Sequence, residues 1–538
     1  MLKPSNQENF SSRGDSRIAP TSIIEAELAR FEEEEIKKMG IKEGRAQQWQ
    51  DKISREFYAD QREHTTILVS GLTMAHDLFV QAGLKGLGYK IKALDCPDHD
   101  ALSAGKEYGN RGQCNPTYFT VGNLVKSLID LRDKEGMSTQ DIINKHVFLT
   151  AGACGPCRFG MYVTEYRKAL NDAGFEGFRV MLFEPNGGMH QATGQEQGLK
   201  MDRTFFLTLA KAIFAGDALN AISYRIRPYE IVKGSTDKAI EDCRQTIMHA
   251  LENKKSLLRS LWKSRKILKK VEIDRTLVKP KVSIIGEFWA MTTEGEGNYF
   301  LQRFLEQEGA EVDIQLIVNW ILYNIWQGRV DTKNRMRLKS ADMNARKGLK
   351  TTEVGKKFLT LWLADKVLRG TFQTFAFCLG LKNYKLPDME ENARVAAEHY
   401  NTELRGGEGH MEVGKLIQTV THKKAHMVIS VKPFGCMPSS GVSDGVQSVI
   451  TERYPDAIFL PIETTGDGAV NVYSRIQMML FKAKRAAEKE YEDLLTNKGL
   501  TLEKVKGIIS KKRKLKDATH YSPHVVAGTA ANLVCEMV

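Results

Sequence analysis

The sequence predicts an α/β protein that contains two parallel-sheet domains with helical insertions. Short apolar runs alternate along the chain with segments of helical spacing, which is the order typical of parallel, doubly wound sheets. A strand, a Gly/Pro turn that holds cysteine, and a helix follow one another at 148–170 and again at 426–454. The chain has 538 residues, which is too long for one ordinary hydrophobic core.

The first α/β domain is predicted to follow an N-terminal extension. Residues 1–62 are mainly polar and include a highly charged helical segment at 23–39. A loop rich in Gly and Asn is expected between Pro97 and Arg111, and helical spacing follows at about 118–134. The predicted strands of this domain are 65–71, 89–94, 148–151 and 178–183.

The second α/β domain is predicted to repeat this design after a helical segment. Its strands are expected at 281–286, 426–431 and 457–461, with helices from about 319 to 400 and from 469 to 488. The patterns divide the chain into a partly disordered extension, a first α/β domain, a helical segment, a second α/β domain and a charged tail. These parts are 1–62, 63–200, 201–275, 276–487 and 488–538.

Cys154 and Cys157 form a Cys-x-x-Cys pair in the turn that follows an apolar strand ending at Ala151. In an open parallel sheet such a turn lies outside the carboxyl end of the strand, where these folds place their sites. A thiolate there is stabilised by the N-terminus of the following helix, and Arg158 adds a positive charge. The pair alone is compatible with a thioredoxin-like redox motif, with metal or iron–sulfur ligation, or with two half-buried thiols.

The remaining cysteines favour ligation by thiolates at turns. Five of six candidate ligands lie at turns after strands or beside Gly and Pro, where backbone N–H groups can point at sulfur. Cys378 has an apolar surrounding sequence and also fits a core position, while Cys243 and Cys535 fit helical packing. A structural zinc site usually contains two close ligand pairs, whereas this chain has one. The six candidates are Cys96, Cys114, Cys154, Cys157, Cys378 and Cys436.

The composition is that of a soluble globular protein, with 42% hydrophobic and 27% charged residues. The net charge of +12 favours acidic partners in general, but no nucleic-acid motif is present. The apolar stretch 205–222 is interrupted by Lys211 and Asp217, so no membrane span is expected. Because residues 1–20 lack an apolar signal segment, we expect a cytoplasmic protein.

Three motifs resemble those of acyl-CoA dehydratase activase-related proteins, in the 2-hydroxyacyl-CoA dehydratase and benzoyl-CoA reductase superfamily, which includes double-cubane cluster proteins. The resemblance covers about 63–487. The motifs are Cys154-Gly-Pro-Cys157-Arg-Phe-Gly160-Met-Tyr162, Lys432-Pro-Phe-Gly-Cys436-Met-Pro438 and Arg111-Gly-Gln-Cys114-Asn-Pro116.

The resemblance implies an oxygen-sensitive iron–sulfur protein of anaerobes, in which two Rossmann-like domains hold a cluster at their interface. The cluster would be [4Fe–4S] or a double-cubane [8Fe–9S], reduced by a separate ATP-hydrolysing activase that carries its own [4Fe–4S] cluster. By motif, Cys114, Cys157 and Cys436 carry over most firmly as ligands, followed by Cys96 and Cys154, and then Cys378. The actin-like ATPase motifs of the activase itself are absent from this chain.

Three functions remain open from the sequence. The leading interpretation is a low-potential reductase or electron-transfer component, in a homo-oligomer or larger complex, without membrane or nucleic acid. A second is a component of a dehydratase that acts on a 2-hydroxyacyl-CoA, and a third is a non-catalytic zinc or thiol scaffold. A cluster shared by Cys157 and Cys436 would require the carboxyl ends of the two sheets to face each other.

Overall fold

Two four-stranded parallel sheets form the framework of the protein, as a computed structural model describes it. The chain divides into two units, Met1–Ile53 and Ser54–Val538, and everything that follows lies in the second. Most of the predicted extension, 1–62, and Cys154 lie outside the described residues. The structure describes residues 30–31, 34–35, 37–38, 57–152, 157–183, 196–337, 351–404, 409–441 and 445–537.

The first sheet has the strand order β2-β1-β3-β4, and all its neighbouring strands are parallel. The apolar side chains of β1 and β3 are buried on both faces, which is typical of a parallel sheet covered by helices. The strands are β1 Thr66–Val69, β2 Ile91–Ala93, β3 His146–Ala151 and β4 Arg179–Phe183. The helices of this half are α1 Met74–Gly86, α2 His99–Tyr108, α3 Asn115–Asp133, α4 Thr139–Lys145 and α5 Tyr162–Asp172.

The second sheet repeats the same topology in the order β6-β5-β7-β8, again with parallel neighbours. Its strands are β5 Lys281–Gly286, β6 Glu311–Ile314, β7 Met427–Pro433 and β8 Ile458–Thr464. Both sheets therefore have one central pair of strands at which the direction of winding reverses, β1 with β3 and β5 with β7. The predicted fold class, two parallel-sheet domains with helical insertions, is confirmed.

The other long elements of the described chain are helices. A helical layer precedes the second sheet and consists of α6 Arg203–Ile226, α7 Ser235–Glu252 and α8 Leu257–Leu268. The helices within the second half are α9 Phe288–Thr292, α10 Leu301–Gln307, α11 Ile317–Arg337, α12 Thr351–Leu379, α13 Met389–Ala396, α14 His410–Thr421, α15 Met437–Gly441 and α16 Gln447–Arg453. The last three are α17 Ala469–Lys498, α18 Leu502–Lys511 and α19 Thr529–Met537.

The loop predicted after Pro97 is partly wrong, because α2 occupies most of it. The Asp98 side chain caps this helix by accepting a hydrogen bond from the Ala101 N–H. Gly105 does not mark a turn here. A Cβ at this position would lie 1.9 Å from the carbonyl oxygen of Tyr118, so the glycine allows α2 to approach α3 closely.

One described helical segment, Arg203–Tyr229, is long and apolar enough to cross a membrane by length and composition. Lys211 and Asp217 therefore do not interrupt it as the sequence analysis expected. However, 61% of its most apolar window is buried inside the protein. Both oxygens of the buried Asp217 carboxylate accept N–H bonds from the first residues of α11, Ile317 at 3.0 Å and Val318 at 2.7 Å. The segment is a core helix of this unit.

The C-terminal segment packs against the amino ends of β5 and β6. Glu311 is buried and accepts hydrogen bonds from the hydroxyls of Tyr521 at 2.6 Å and Thr529 at 2.5 Å. Arg275 donates to the carbonyl oxygen of Ala518 at 2.8 Å. These contacts hold the end of the chain to the edge of the second sheet that is opposite its carboxyl end.

Candidate functional site

The carboxyl ends of the two sheets face each other. The backbone N–H of Asn115, at the start of α3, donates to the carbonyl oxygen of Phe434, just after β7, at 3.0 Å. The N–H of Met74, at the start of α1, donates to the Glu294 carboxylate at 2.8 Å. The imidazole of His99 lies 2.8 Å from the carbonyl oxygen of Gly466, beyond β8. The arrangement that a shared site requires is therefore present.

The topology explains why cysteines meet at this interface. In an open parallel sheet, ligands bind outside the carboxyl ends of the strands at which the winding reverses. Cys157 follows β3 and Cys436 follows β7, so each lies beyond the third strand, in chain order, of its own sheet. Because the two sheets face each other through these edges, the equivalent turns of both halves point into one region.

Cys114 lies at the N-cap of α3 and is buried, with 6% of its surface exposed. Its Sγ is 3.1 Å from the Thr117 hydroxyl and 3.2 Å from the Tyr162 hydroxyl. Burial raises the pKa of Tyr162 well above its usual value, and the neighbouring Cys114 adds to that rise. Two hydroxyl groups that remain protonated therefore surround this sulfur and can donate hydrogen bonds to a thiolate.

Cys436 lies in a tight turn between β7 and α15 and is also buried, with 6% exposed. Gly435 makes the turn possible, because its φ of +77° lies in the left-handed region that L side chains rarely adopt. A Cβ at Gly435 would lie 3.3 Å from the Cα of Cys114. The turn of the second half is thus in close backbone contact with the Cys114 turn of the first half.

Cys157 is half-buried and lies immediately before a 3₁₀ turn at Arg158–Met161, which leads into α5. The Arg158 guanidinium donates a hydrogen bond to the carbonyl oxygen of Gly112. Tyr162, the first residue of α5, contacts the Cys114 sulfur as described above. These two contacts fix the Cys157 turn to the Cys114 loop, so the turns of Cys114, Cys157 and Cys436 converge.

Cys96 follows β2 and contacts a different loop of the second half. Its Sγ lies 4.0 Å from the Thr293 hydroxyl. A Cβ at Gly295 would lie 2.7 Å from the same sulfur. Burial raises the pKa of Cys96 to about 11, and the nearby Glu294 carboxylate contributes to the rise. The structure therefore places Cys96 at the interface between the halves, beside the loop that precedes α10.

Cys378 lies on α12 rather than at a turn after a strand. It is buried in the helical core cluster that also contains Cys243, and burial raises its pKa, opposed by Trp262 and Arg265 of α8. Its position is thus separate from the three converging turns. Cys243 is fully buried in α7 with Sγ 3.5 Å from the carbonyl oxygen of Ser264, which confirms that it is a packing residue.

Glu287 is a polar residue of the site that the sequence analysis missed. It follows β5 directly, at the winding reversal of the second sheet, and caps α9 by accepting from the N–H of Ala290 at 2.8 Å. Burial raises the pKa of this carboxyl, and its charge is one cause of the raised pKa of Tyr162. An acidic residue immediately after an apolar strand and Gly286 was the signal in the sequence that could have identified it.

No family model matches this chain, and no curated protein matches it.

The converging turns supply the donor chemistry that an iron–sulfur cluster needs, since such clusters are held by cysteine thiolates. Within the described ranges, no group of three or more His, Cys, Asp and Glu side chains is arranged as a set of metal ligands. The turns of Cys157 and Cys436 each contact the Cys114 turn, through backbone, guanidinium and hydroxyl groups. The residue types and their common location fit a cluster between the two halves.

Proposed function

We propose that this chain is an iron–sulfur protein that serves as a low-potential reductase or electron-transfer component. The observation that carries the proposal is the close contact between the Cys114 turn and the Cys436 turn across the facing carboxyl ends of the two sheets. The motif resemblance to double-cubane cluster proteins and to 2-hydroxyacyl-CoA dehydratases points to the same chemistry. On that basis we propose a cytoplasmic protein that is reduced by an ATP-hydrolysing activase.

Cys114, Cys157 and Cys436 would hold the cluster in this proposal. When bound, it supplies one-electron transfer at a potential set by the cluster type, nearby hydrogen bonds and burial. The hydroxyls of Thr117 and Tyr162 orient the Cys114 sulfur and donate to its charged form. Cys96 and Cys154 are further candidate ligands, whereas Cys378 lies in the helical core away from these turns.

The residues around the turns would keep water and oxygen from the sulfur atoms. Cys114 and Cys436 are both buried at the interface, and Phe119 packs against Trp289 across it with ring centroids 5.5 Å apart. A low-dielectric surrounding disfavours added negative charge, whereas hydrogen bonds to sulfur favour it. The balance between burial and the Thr117 and Tyr162 hydroxyls would therefore set the potential.

The decisive experiment is metal analysis of protein purified without oxygen. We expect brown protein that contains iron and acid-labile sulfide, and we expect Cys114→Ala and Cys436→Ala each to lower both. Cys243→Ala is the matched control, because it removes an equally buried thiol from the helical core. Colourless wild-type protein with stoichiometric zinc would refute the proposal.

Single substitutions also test whether the two halves share one cluster. If Cys436→Ala kept full iron while Cys157→Ala lost it, the cluster would belong to the first half alone.

Supplied with activase, ATP and a low-potential reductant, the wild-type protein should take up electrons. Turnover of a 2-hydroxyacyl-CoA at an enzymatic rate would instead assign it to the dehydratases.

A further inference from the structure

A groove of about 730 Å³ lies between α11, α12 and α13, on a part of the protein distinct from the cysteine turns. Clefts that bind small molecules and cofactors are typically about 300–1,000 Å³, so this groove is of ligand size. The charged and aromatic side chains that line the groove indicate the class of ligand that fits it.

The acidic side chains of the groove are already engaged. Asp365 pairs with Arg369 at 3.1 Å, and Asp388 caps α13 by accepting from two backbone N–H groups. Glu390 accepts a hydrogen bond from the indole of Trp326 at 2.9 Å. Glu403 accepts from the Asn334 amide at 3.1 Å. These carboxylates serve the local structure.

Four basic side chains of the groove stand in contrast to them. Among the residues that the structure describes, none of the four forms an ion pair with a carboxylate. The Arg329 Nε is buried and has no hydrogen-bond acceptor within the described part of the chain. The four are Arg329, Lys333, Lys366 and Arg394. Their charges are available to an anionic ligand, for which arginine and lysine are the usual partners.

Aromatic rings lie among these cations. The Phe358 ring lies beneath the Arg329 guanidinium at 5.3 Å, and the Trp362 ring lies 5.8 Å from the Lys366 ammonium. Trp362 is 42% exposed and Phe358 is 37% exposed, so both rings are accessible to a ligand in the groove. An exposed ring beside unpaired cations can stack on a planar base while the cations contact phosphates.

We propose that this groove binds a nucleoside polyphosphate, with its base on Trp362 and its phosphates among Arg329, Lys333 and Arg394. The site is independent of the proposed cluster, because no cysteine lines it. Protein that contains no iron should therefore bind the nucleotide as well as the cluster-loaded form does.

The test is isothermal titration of the full chain with three probes: ATP, inorganic tripolyphosphate and adenosine. We expect ATP to bind more tightly than either part alone. Lys333→Gln combined with Arg394→Gln should weaken ATP and tripolyphosphate by about tenfold or more, since it removes two charged contacts. Lys238→Gln with Arg259→Gln is the matched control, because it removes the same charge from two exposed positions on α7 and α8 and should leave binding unchanged.

Trp362→Ala tests the stacking half of the proposal. It should weaken ATP by about fivefold or more and leave tripolyphosphate unchanged, because loss of one base–aromatic stack acts on the base alone. Thermal melting shows whether the double variant folds. If it does not, Lys366→Gln replaces it as the charge variant and should likewise weaken ATP. No heat of binding with millimolar ATP, equal weakening by the control pair, or ATP and tripolyphosphate binding equally well would each overturn the proposal.

Discussion

Replacing Gly435 with Ala tests the contact between the two cysteine turns directly. Gly435 has a φ of +77°, a conformation that costs an L residue about 1–2 kcal/mol. The new Cβ would also lie 3.3 Å from both the Cα of Cys114 and the carbonyl oxygen of Gln113. Since backbone atoms must then move by a few tenths of an ångström, we add about 1 kcal/mol, the low end of overpacking costs. The expected destabilisation is about 2–3 kcal/mol.

Gly174 provides the matched control for this substitution. Its φ is +85°, and a Cβ there would have no heavy atom within 4 Å, so Gly174→Ala pays only the backbone cost of about 1–2 kcal/mol. In a cooperative unit of about 150–250 residues, 1 kcal/mol shifts the melting temperature by about 2–4 °C. We therefore expect Gly435→Ala to melt about 2–4 °C below Gly174→Ala in a circular-dichroism melt.

The iron content of the same two variants gives the second measurement. Gly435→Ala should lower the iron and sulfide of anaerobically purified protein, because it displaces Cys436 from the Cys114 turn. Gly174→Ala should retain both. Equal melting temperatures for the two variants, with full iron in Gly435→Ala, would refute the conclusion that these turns are held together tightly.

Three further predictions concern other groups. Burial raises the pKa of Asp77 to about 7, so between about pH 4 and pH 7 the folded state keeps a proton that the unfolded chain has released, and the stability of wild type falls as the pH rises. The stability of Asp77→Asn relative to wild type should therefore increase by up to about 4 kcal/mol between about pH 4 and pH 8. A stability difference in urea unfolding that did not change with pH would contradict this. The carbonyl of Gly466 and the carboxylate of Glu296 raise the pKa of His99. The contribution of His99 to stability is therefore full below its pKa in the unfolded chain and is lost as the pH rises through its pKa in the folded protein. The difference in melting temperature between wild type and His99→Gln should shrink at alkaline pH, and a difference that grew would argue against the charged contact. Cys378→Ala should keep the iron content of wild type, because this residue lies on α12 in the helical core, and loss of iron in this variant would place a ligand there.

The sequence predicted the sheet strands with the clearest apolar runs and missed the elements defined by packing. β5 and β7 were located to within two residues, since valine and isoleucine dominate the middle of both. β6 was not predicted, because two of its four residues, Glu311 and Asp313, are acidic and lie on a short edge strand. Glu311 can occupy a buried position only because hydroxyls from the distant C-terminal segment bind it, and such a contact leaves no local signal.

The candidate site could be predicted in part for a similar reason. The repeated strand, cysteine turn and helix identified Cys157 and Cys436, since turn residues and apolar runs are local features. The approach of Cys114 to the Cys436 turn could not be derived, because it depends on how the two sheets dock. The hydroxyl of Tyr162 was missed for the same reason: in the sequence it is one apolar position of a helix, and only the docked α5 brings it to the Cys114 sulfur.

The separation of the two contacting turns along the chain has a consequence for biosynthesis. Cys114 and Cys436 are 322 positions apart, as 436 minus 114. At a translation rate of about 5–20 residues per second, the ribosome adds Cys436 roughly 16–64 s after Cys114. During this interval the first half has no Phe434 carbonyl for the Asn115 N–H and no Gly435 turn to cover the Cys114 loop. The first half already supplies the core around Cys114, but its loop reaches its final backbone contacts only after the second half has emerged.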